Sequence, residues 1–534
     1  MAKAFLKQIY ALYDHEISLI SAVAFLVLLG RIVVMCTTAC WNALRRVLVK
    51  PTHKQKTATT TNNVLHSPTS PSRVRGMTKC QIASTLILLL IATEIPLLWI
   101  QDFHSPKDND NGNGLFTLIK GTDPRLDEIL KRVPAIREGP RAPWWLRNRH
   151  IQFIPWLLQN EWHRQQGIPF ERIHVPVTDC YDKTTVTVVE NCHRVMNDTI
   201  TLDVFPPFGD DTSSWNHRID FVFNRSSPII FFSPGLRCHS QDMPGNMVIR
   251  KAYEQGFRSV VVHRRGHTPN QKLQSPRWNL FGDVDDLEQV YWFVRRKFAA
   301  PHTGLFLHGI SSGTAVVVTA LSKWDRRRKE GDTAPSFVAT ISVTPGYDIS
   351  KVMSRDRFLF PYNDLLLGGV KDHFVRQNEG LLRSHNSTAV DLALRATNLQ
   401  EFVDASVHFA GYNTTSAYYE DTNPINEVRD ITTPKLVLNA LDDPCCNIKN
   451  LFEPSSQPHH EGKTYAQIVE ETENAMVAVT WTGSHCPFIC TRGRWFPVAR
   501  DPLTGGYMLH SWADQVSIDF YRAALDVYSD RVFL

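Results

Sequence analysis

From about Pro228 onward the chain alternates short apolar runs with amphipathic segments. The runs are PIIFFS ending at Ser233, RSVVVH ending at His263, TGLFLH ending at His308, FVATISVTP ending at Pro345 and KLVLNA ending at Ala440. They are brief, rich in β-branched and aromatic residues, and bounded by Pro or Gly, which is the pattern of strands buried on both faces. Between them lie helix-like segments such as DVDDLEQVYWFVRRKFAA, whose acidic start and basic end suit the helix dipole. Strands alternating with helices predict an α/β fold with parallel pairing through crossovers. The stretch from Ser350 to Asp430 breaks the rhythm: it is polar and aromatic without strand signals, and predicts a cap inserted between two strands.

Upstream the pattern changes. Ile17–Trp41 and Cys80–Ile100 are apolar stretches of about the 20 residues that a spanning helix requires, so two transmembrane helices are expected, at 17–41 and 80–101. Each holds one charge, Arg31 or Glu94, at similar distances from the basic segment between them, and an intramembrane pair is expected. That segment, 42–79, is rich in Thr, Ser, Pro and Asn and is expected to be disordered. Residues 1–16 form a tail, 102–118 a polar linker, and folded sequence is expected from about Ile119, giving one domain over 119–534 with its cap at about 350–430.

Charge then sharpens the picture. The net charge is +5, yet eight basic and no acidic residues lie between Trp41 and Cys80, so this loop more than accounts for the excess. The region downstream is not basic, which argues against nucleic acid as a partner. By the positive-inside rule the basic loop faces the cytosol, placing the folded domain on the lumenal or extracytosolic side of an endomembrane such as the endoplasmic reticulum. Four N-x-S/T sequons, at Asn197, Asn224, Asn386 and Asn413, agree with that placement. Seven cysteines follow the second apolar stretch, an odd number without the spacing of a zinc module. The run PHHEG, with His459, His460 and Glu461, is not an HExxH motif.

The candidate chemistry centres on Gly309-Ile310-Ser311-Ser312-Gly313, which fits G-x-S-x-G between a strand candidate and a helix-competent run. A strand-to-helix turn this sharp exposes the serine hydroxyl and tolerates only glycine on either side. In this register Ser311 is the nucleophile and Ser312 supplies a backbone N–H. A serine nucleophile needs a base and an orienting acid, in the chain order Ser, acid, His. Asp442 and Asp443 follow the strand candidate KLVLNA, and His485 lies on a Gly-Ser turn after AMVAVTW. Pro234-Gly235-Leu236 follows an early strand, where the Leu236 N–H could join that of Ser312 as an oxyanion hole.

With these residues assembled, the chain resembles the α/β-hydrolase-domain proteins of the AB hydrolase 4 family over roughly Trp144 to Ala524. WWLRNRHIQFI is similar to the family's entry segment, SPGL to its oxyanion loop, and VVHRRGH with SPRWNLFGDVDDL to its arginine-glycine turn and following helix. FAGYNTTSAYYEDTNPINEVRDITTPKLVLNALDDP resembles the stretch from cap to acid. The resemblance implies an α/β-hydrolase fold and a triad of Ser311, Asp443 and His485, with Asp443 preferred over Asp442 because such hydrolases commonly place the acid just before Pro. Two departures stand out: Ser312-Gly313-Thr314 replaces the usual bulky residue and second glycine, and Ser484 stands where the family has glycine before the histidine. The resemblance further implies hydrolysis of acyl-lipid esters, such as monoacylglycerols, phospholipids or medium-chain esters, at a lipid bilayer, with no metal or organic cofactor. Its alternatives are an alcohol acyltransferase using the same triad and an inactive hydrolase-fold protein that binds a lipid or protein partner.

Overall fold

The computed structural model describes residues 114–530, apart from 144–145, 166, 179–180, 183–186, 189–197, 208–222, 269–270, 360, 456–461 and 492–496. The expected membrane spans, the basic loop between them, Arg31, Glu94 and His459, His460 and Glu461 of the PHHEG run all lie outside the described residues, as does Asn197. Among the described residues, no helix is long and apolar enough to cross a membrane.

Among the described residues, nine strands form the main sheet: β1 (Leu115–Lys120), β2 (Glu171–Val177), β3 (Asp198–Phe205), β4 (Ile229–Ser233), β5 (Arg258–His263), β6 (Leu305–Ile310), β7 (Ala339–Val343), β8 (Lys435–Ala440) and β9 (Ala475–Thr480). Their order is β1-β9-β8-β7-β6-β4-β5-β3-β2. The six strands from β4 to β9 pair in parallel, and β1, β2 and β3 pair antiparallel at the two sides. The fold therefore begins earlier than expected. Residues 115–118 are not linker but strand, because Leu118 and Ile119 pair with Ala478 and Val477 and complete the β9 edge.

The helices used below are α1 (Arg125–Arg132), α2 (Phe153–Gln165), α3 (Gly245–Glu254), α4 (Val284–Phe298), α5 (Gly313–Lys329), α6 (Tyr362–Val370), α7 (Glu379–Arg395), α8 (Leu399–Ser406), α9 (Thr415–Thr422), α10 (Tyr465–Glu471) and α11 (Trp512–Val527). Alternate strand residues feed two cores. Ile229, Phe231, Leu305 and Val437 pack with α4, α5 and α10 on one face, while Ile230, Phe232, Phe306 and Leu438 pack with α1, α3 and α11 on the other. Two-sided burial of this kind explains the unbroken apolar runs, each fully buried side chain contributing about 1.5–3 kcal/mol. Helix α4 starts where the sequence signals it, with the Asp283 carboxylate accepting from the Asp285 and Asp286 N–H groups.

Between β7 and β8 the chain is helical and carries α6 to α9, with α7 kinked at Asn386. This region has its own core, in which Trp278 stacks on Phe374 with centroids 4.7 Å apart and planes 9° from parallel. Leu382, Val390, Phe402 and Tyr418 are buried around that stack. Ser311, Asp443 and His485 follow β6, β8 and β9, so parallel pairing brings the three loops to one edge of the sheet, below the helical insertion.

Candidate active site

The turn from β6 into α5 is forced by sterics. Ser311 adopts φ 51, in the left-handed region that non-glycine residues rarely occupy. A Cβ at Gly313 would come within 2.2 Å of the Ser233 carbonyl oxygen, and one at Gly309 within 2.8 Å of Thr314 Cα. Both glycines are thus required by backbone contact. The strained serine is held by its neighbours: its N–H donates to Val343 O at 2.8 Å, and its carbonyl accepts from the Thr314 N–H and hydroxyl at 3.0 and 2.6 Å.

The structure brings Ser311, His485 and Asp443 together. Ser311 Oγ lies 2.8 Å from His485 Nε2, and His485 Nδ1 lies 3.0 and 2.9 Å from the two Asp443 oxygens. A carboxylate can only accept, so Nδ1 carries the proton, and Nε2 accepts from the serine hydroxyl. The Asp443 side chain is fully buried, and its Oδ1 also accepts from the Cys445 and Cys446 N–H groups at 2.8 Å each. Burial disfavours charge on the His485 ring, the Asp443 carboxylate is the foremost of several neighbouring groups that oppose it, and the net direction is well above the ordinary histidine value.

The choice between adjacent aspartates is decided by direction. Asp442 turns away from the imidazole and accepts the Ser484 N–H at 2.8 Å. Burial pushes its carboxyl up to about 7, the Ser484 N–H partly opposing this. Ser484 occupies φ 57, a conformation glycine adopts without strain, and anchors it by donating its hydroxyl to Arg149 O at 2.7 Å. The departure from glycine before the histidine is thereby compensated by two hydrogen bonds that glycine could not both make.

Ser312 does not compete for the base. Its hydroxyl is buried and accepts from Arg264 Nη2 at 3.3 Å, and the same nitrogen donates to Gly235 O at 3.2 Å. Arg264 therefore ties the loop after β4 to the turn after β6. Burial pulls its guanidinium down to about 10, which leaves it charged at neutral pH. A Cβ on Gly235 would sit 3.3 Å from Ser311 Cβ, so the loop runs against the serine. Among the described residues, the N–H groups of Leu236 and Ser312 have no acceptor, and both residues line the same cavity as Ser311. Two free donors beside the serine, at the positive end of α5, suit an oxyanion. The roles of Arg264 and Asp442 escape sequence reasoning, because each acts through a backbone atom or hydroxyl far away in the chain.

Above Ser311 opens a cavity of about 370 Å³ with an overwhelmingly apolar lining. Phe153 and Trp156 of α2, Phe358, and Leu366 of α6 contribute to it. Besides the Ser311–His485 pair, a polar contact in its wall joins His150 Nδ1 to the Tyr362 hydroxyl at 2.8 Å, and burial holds that imidazole down at about 4, hence neutral. Cys238, Cys445, Cys446 and Cys486 also line the cavity, all as free thiols. Cys446 Sγ, an Asp443 carboxylate oxygen and a His485 ring nitrogen lie within 4.8 Å of one another, the one such donor set among the described residues.

The parallel sheet, the strained serine between two glycines and the Ser-His-Asp contacts define the chain as an α/β-hydrolase-domain protein. No family model matches it. Among curated proteins, its relatives include monoacylglycerol lipase ABHD2 of Danio rerio, 26% identical over 337 residues that cover 61% of this chain and 68% of the relative. The Homo sapiens ABHD2 is 24% identical over 342 residues, 61% of this chain and 70% of its own length. Phospholipase ABHD3 of Bos taurus is 25% identical over 332 residues, 61% and 69% of the two lengths. The chain's homologues are thus α/β-hydrolase-domain proteins of the AB hydrolase 4 family. A solved structure that aligns with it is the carboxylesterase EstE1 from a metagenomic library, with a TM-score of 0.34 and 13% identity over 70% of this chain and 94% of that one.

Proposed function

We propose that this protein is a membrane-anchored serine hydrolase that cleaves the carboxylic ester bond of an acyl lipid. The observation that carries the reading is His485, which contacts Ser311 through one ring nitrogen and Asp443 through the other. His485 Nε2 takes the Ser311 proton as Oγ attacks the ester carbonyl, and Asp443 stabilises the imidazolium that forms. The N–H groups of Leu236 and Ser312 receive the charge that develops on the carbonyl oxygen. His485 then returns the proton to the departing alcohol, leaving an acyl group on Ser311. Water, deprotonated by the same imidazole, releases the fatty acid and restores the serine. The residues themselves supply every proton transfer in this sequence.

The substrate class follows from the cavity and the relatives. An apolar chamber of about 370 Å³ that ends at Ser311 suits an acyl chain better than a polar ester. Relatives named monoacylglycerol lipase and phospholipase favour monoacylglycerols or phospholipids, with medium-chain esters as the simpler analogues. The bilayer is the source of substrate, held close by the apolar stretches 17–41 and 80–101, and the hydrolase domain lies on the lumenal side of an endomembrane. Leu158 and Trp162 are exposed on α2, the helix whose Leu157 both lines the cavity and is partly exposed.

A fluorophosphonate probe tests the reading on the membrane-bound protein. Wild type and Ser312→Ala are expected to label, while Ser311→Ala is not. A lipid-ester panel on the labelling-competent protein then identifies the substrate. Well-folded wild type that neither labels nor hydrolyses any ester would overturn the proposal.

A further inference from the structure

Ester hydrolysis as described leaves the Cys446 thiol without a task. It stands three residues after the acid, in Asp443-Pro444-Cys445-Cys446, on a turn whose two cysteine N–H groups both donate to Asp443 Oδ1. The turn folds the thiol back toward the acid and base, so that Cys446 Sγ, an Asp443 oxygen and a His485 nitrogen gather within 4.8 Å. Carboxylate, imidazole and thiolate are the ligand types of zinc, at about 2.0–2.3 Å from the ion. Ligand atoms on one tetrahedral zinc stand about 3.3–3.8 Å apart, so modest side-chain rotation closes this set around an ion. Asp443 is held from behind by backbone donors, as metal-ligating carboxylates commonly are. The cavity lined by Cys446 and His485 supplies both an entry path and room for water as a fourth ligand.

We propose that Asp443, Cys446 and His485 form an inhibitory site for Zn²⁺, overlaid on the acid-base pair. The ion takes the place of the proton between His485 Nδ1 and Asp443. The Cys446 thiol releases its proton to solvent and binds as thiolate, and the imidazole keeps one proton, moved from Nδ1 to Nε2. Two anionic ligands then balance the charge of the ion, and one proton is lost for each zinc bound. With Nε2 protonated, His485 donates to Ser311 Oγ and can no longer accept its proton, which stops attack at the first step. No oxidation or reduction is involved. The inhibitory consequence rests on the hydrolase reading, whereas the metal site itself does not.

The test uses the purified full chain in detergent, with Co²⁺ as spectroscopic probe and Zn²⁺ as inhibitor. One Co²⁺ per chain is expected, with a thiolate-to-metal charge-transfer band that persists in Cys445→Ala and vanishes in Cys446→Ala. Zinc is expected to slow fluorophosphonate labelling of Ser311, reversibly with chelator. Each variant is compared with its own metal-free rate, and Cys446→Ala should weaken zinc inhibition by at least the about 10–100-fold seen on losing an outer-shell partner. A band absent from wild type, or undiminished in Cys446→Ala, overturns the site. A thiolate band without any labelling of metal-free protein would instead overturn the hydrolase reading and leave the metal site standing.

Discussion

At the scale of single residues, His485 and Arg264 make the sharpest commitments. Burial opposes charge on the His485 ring, and the groups around it, the Asp443 carboxylate foremost, reverse that balance, so its pKa lies above the ordinary value of about 6.5. Only the neutral ring can take the Ser311 proton, and hydrolysis should therefore fall as pH drops through a pKa above that value. In Asp443→Asn the attraction is lost while burial remains. The acid limb of kcat/KM should move to lower pH, with kcat reduced by about 10⁴-fold through the wrong imidazole tautomer. A pH profile on a soluble ester decides it: a limb that stays in place would rule out the carboxylate as the cause. Arg264 acts at one remove, through Gly235 O and the Ser312 hydroxyl. Arg264→Met should lower kcat with little change in KM, by less than the about 10²–10³-fold loss expected when an oxyanion donor is removed outright. Equal kcat in mutant and wild type would show that the two loops hold their positions without it.

Among elements, the turn from β6 to α5 is the least tolerant of change. A methyl group at Gly313 would stand 2.2 Å from Ser233 O and 2.4 Å from Pro234 O, both backbone atoms of the oxyanion loop. Gly313→Ala should lower stability by about 1–3 kcal/mol, the usual range for overpacking, and abolish probe labelling. Gly368→Ala serves as its control: it lies within α6, where an added Cβ meets nothing within 4 Å, and should be neutral or stabilising by up to about 1 kcal/mol. Thermal melts of both proteins compare the two directly. The same element explains why much was legible in advance. Strands β4 to β8 are buried on both faces and announce themselves as unbroken apolar runs, whereas β2, GluArgIleHisValProVal at residues 171–177, lies at the sheet edge with alternating exposure and includes Pro176. β1 escaped notice because Leu115–Lys120 adjoins a polar stretch and reveals itself only through pairing with β9. Neighbouring Asp442 and Asp443 offer the same chemistry in sequence, where only the position before Pro444 favours Asp443, and the contacts their side chains make then separate them.

For the whole molecule, the proposed task joins a chemical centre to a lipid surface. Ser311 and His485 stand 174 residues apart in sequence and meet because parallel strands deliver their loops to one edge. Above them, Leu157 and Leu365 both line the cavity and remain 40% and 58% exposed, which marks its mouth. Leu158 and Trp162 on α2, the helix that carries Leu157, are 70% and 53% exposed. Apolar side chains so placed would lose little by entering the acyl boundary of a bilayer, where each buried group of this size gains about 1.5–3 kcal/mol. If substrate enters there, Leu158→Glu combined with Trp162→Glu should slow hydrolysis of a long-chain monoacylglycerol presented in vesicles. Neither residue lines the cavity, so turnover of a short soluble ester should be unchanged in the same protein. The comparison is made on full-length protein in both assays. Equal losses on the two substrates would indicate damage to the catalytic fold, and no loss on vesicles would mean that lipid reaches Ser311 by another route.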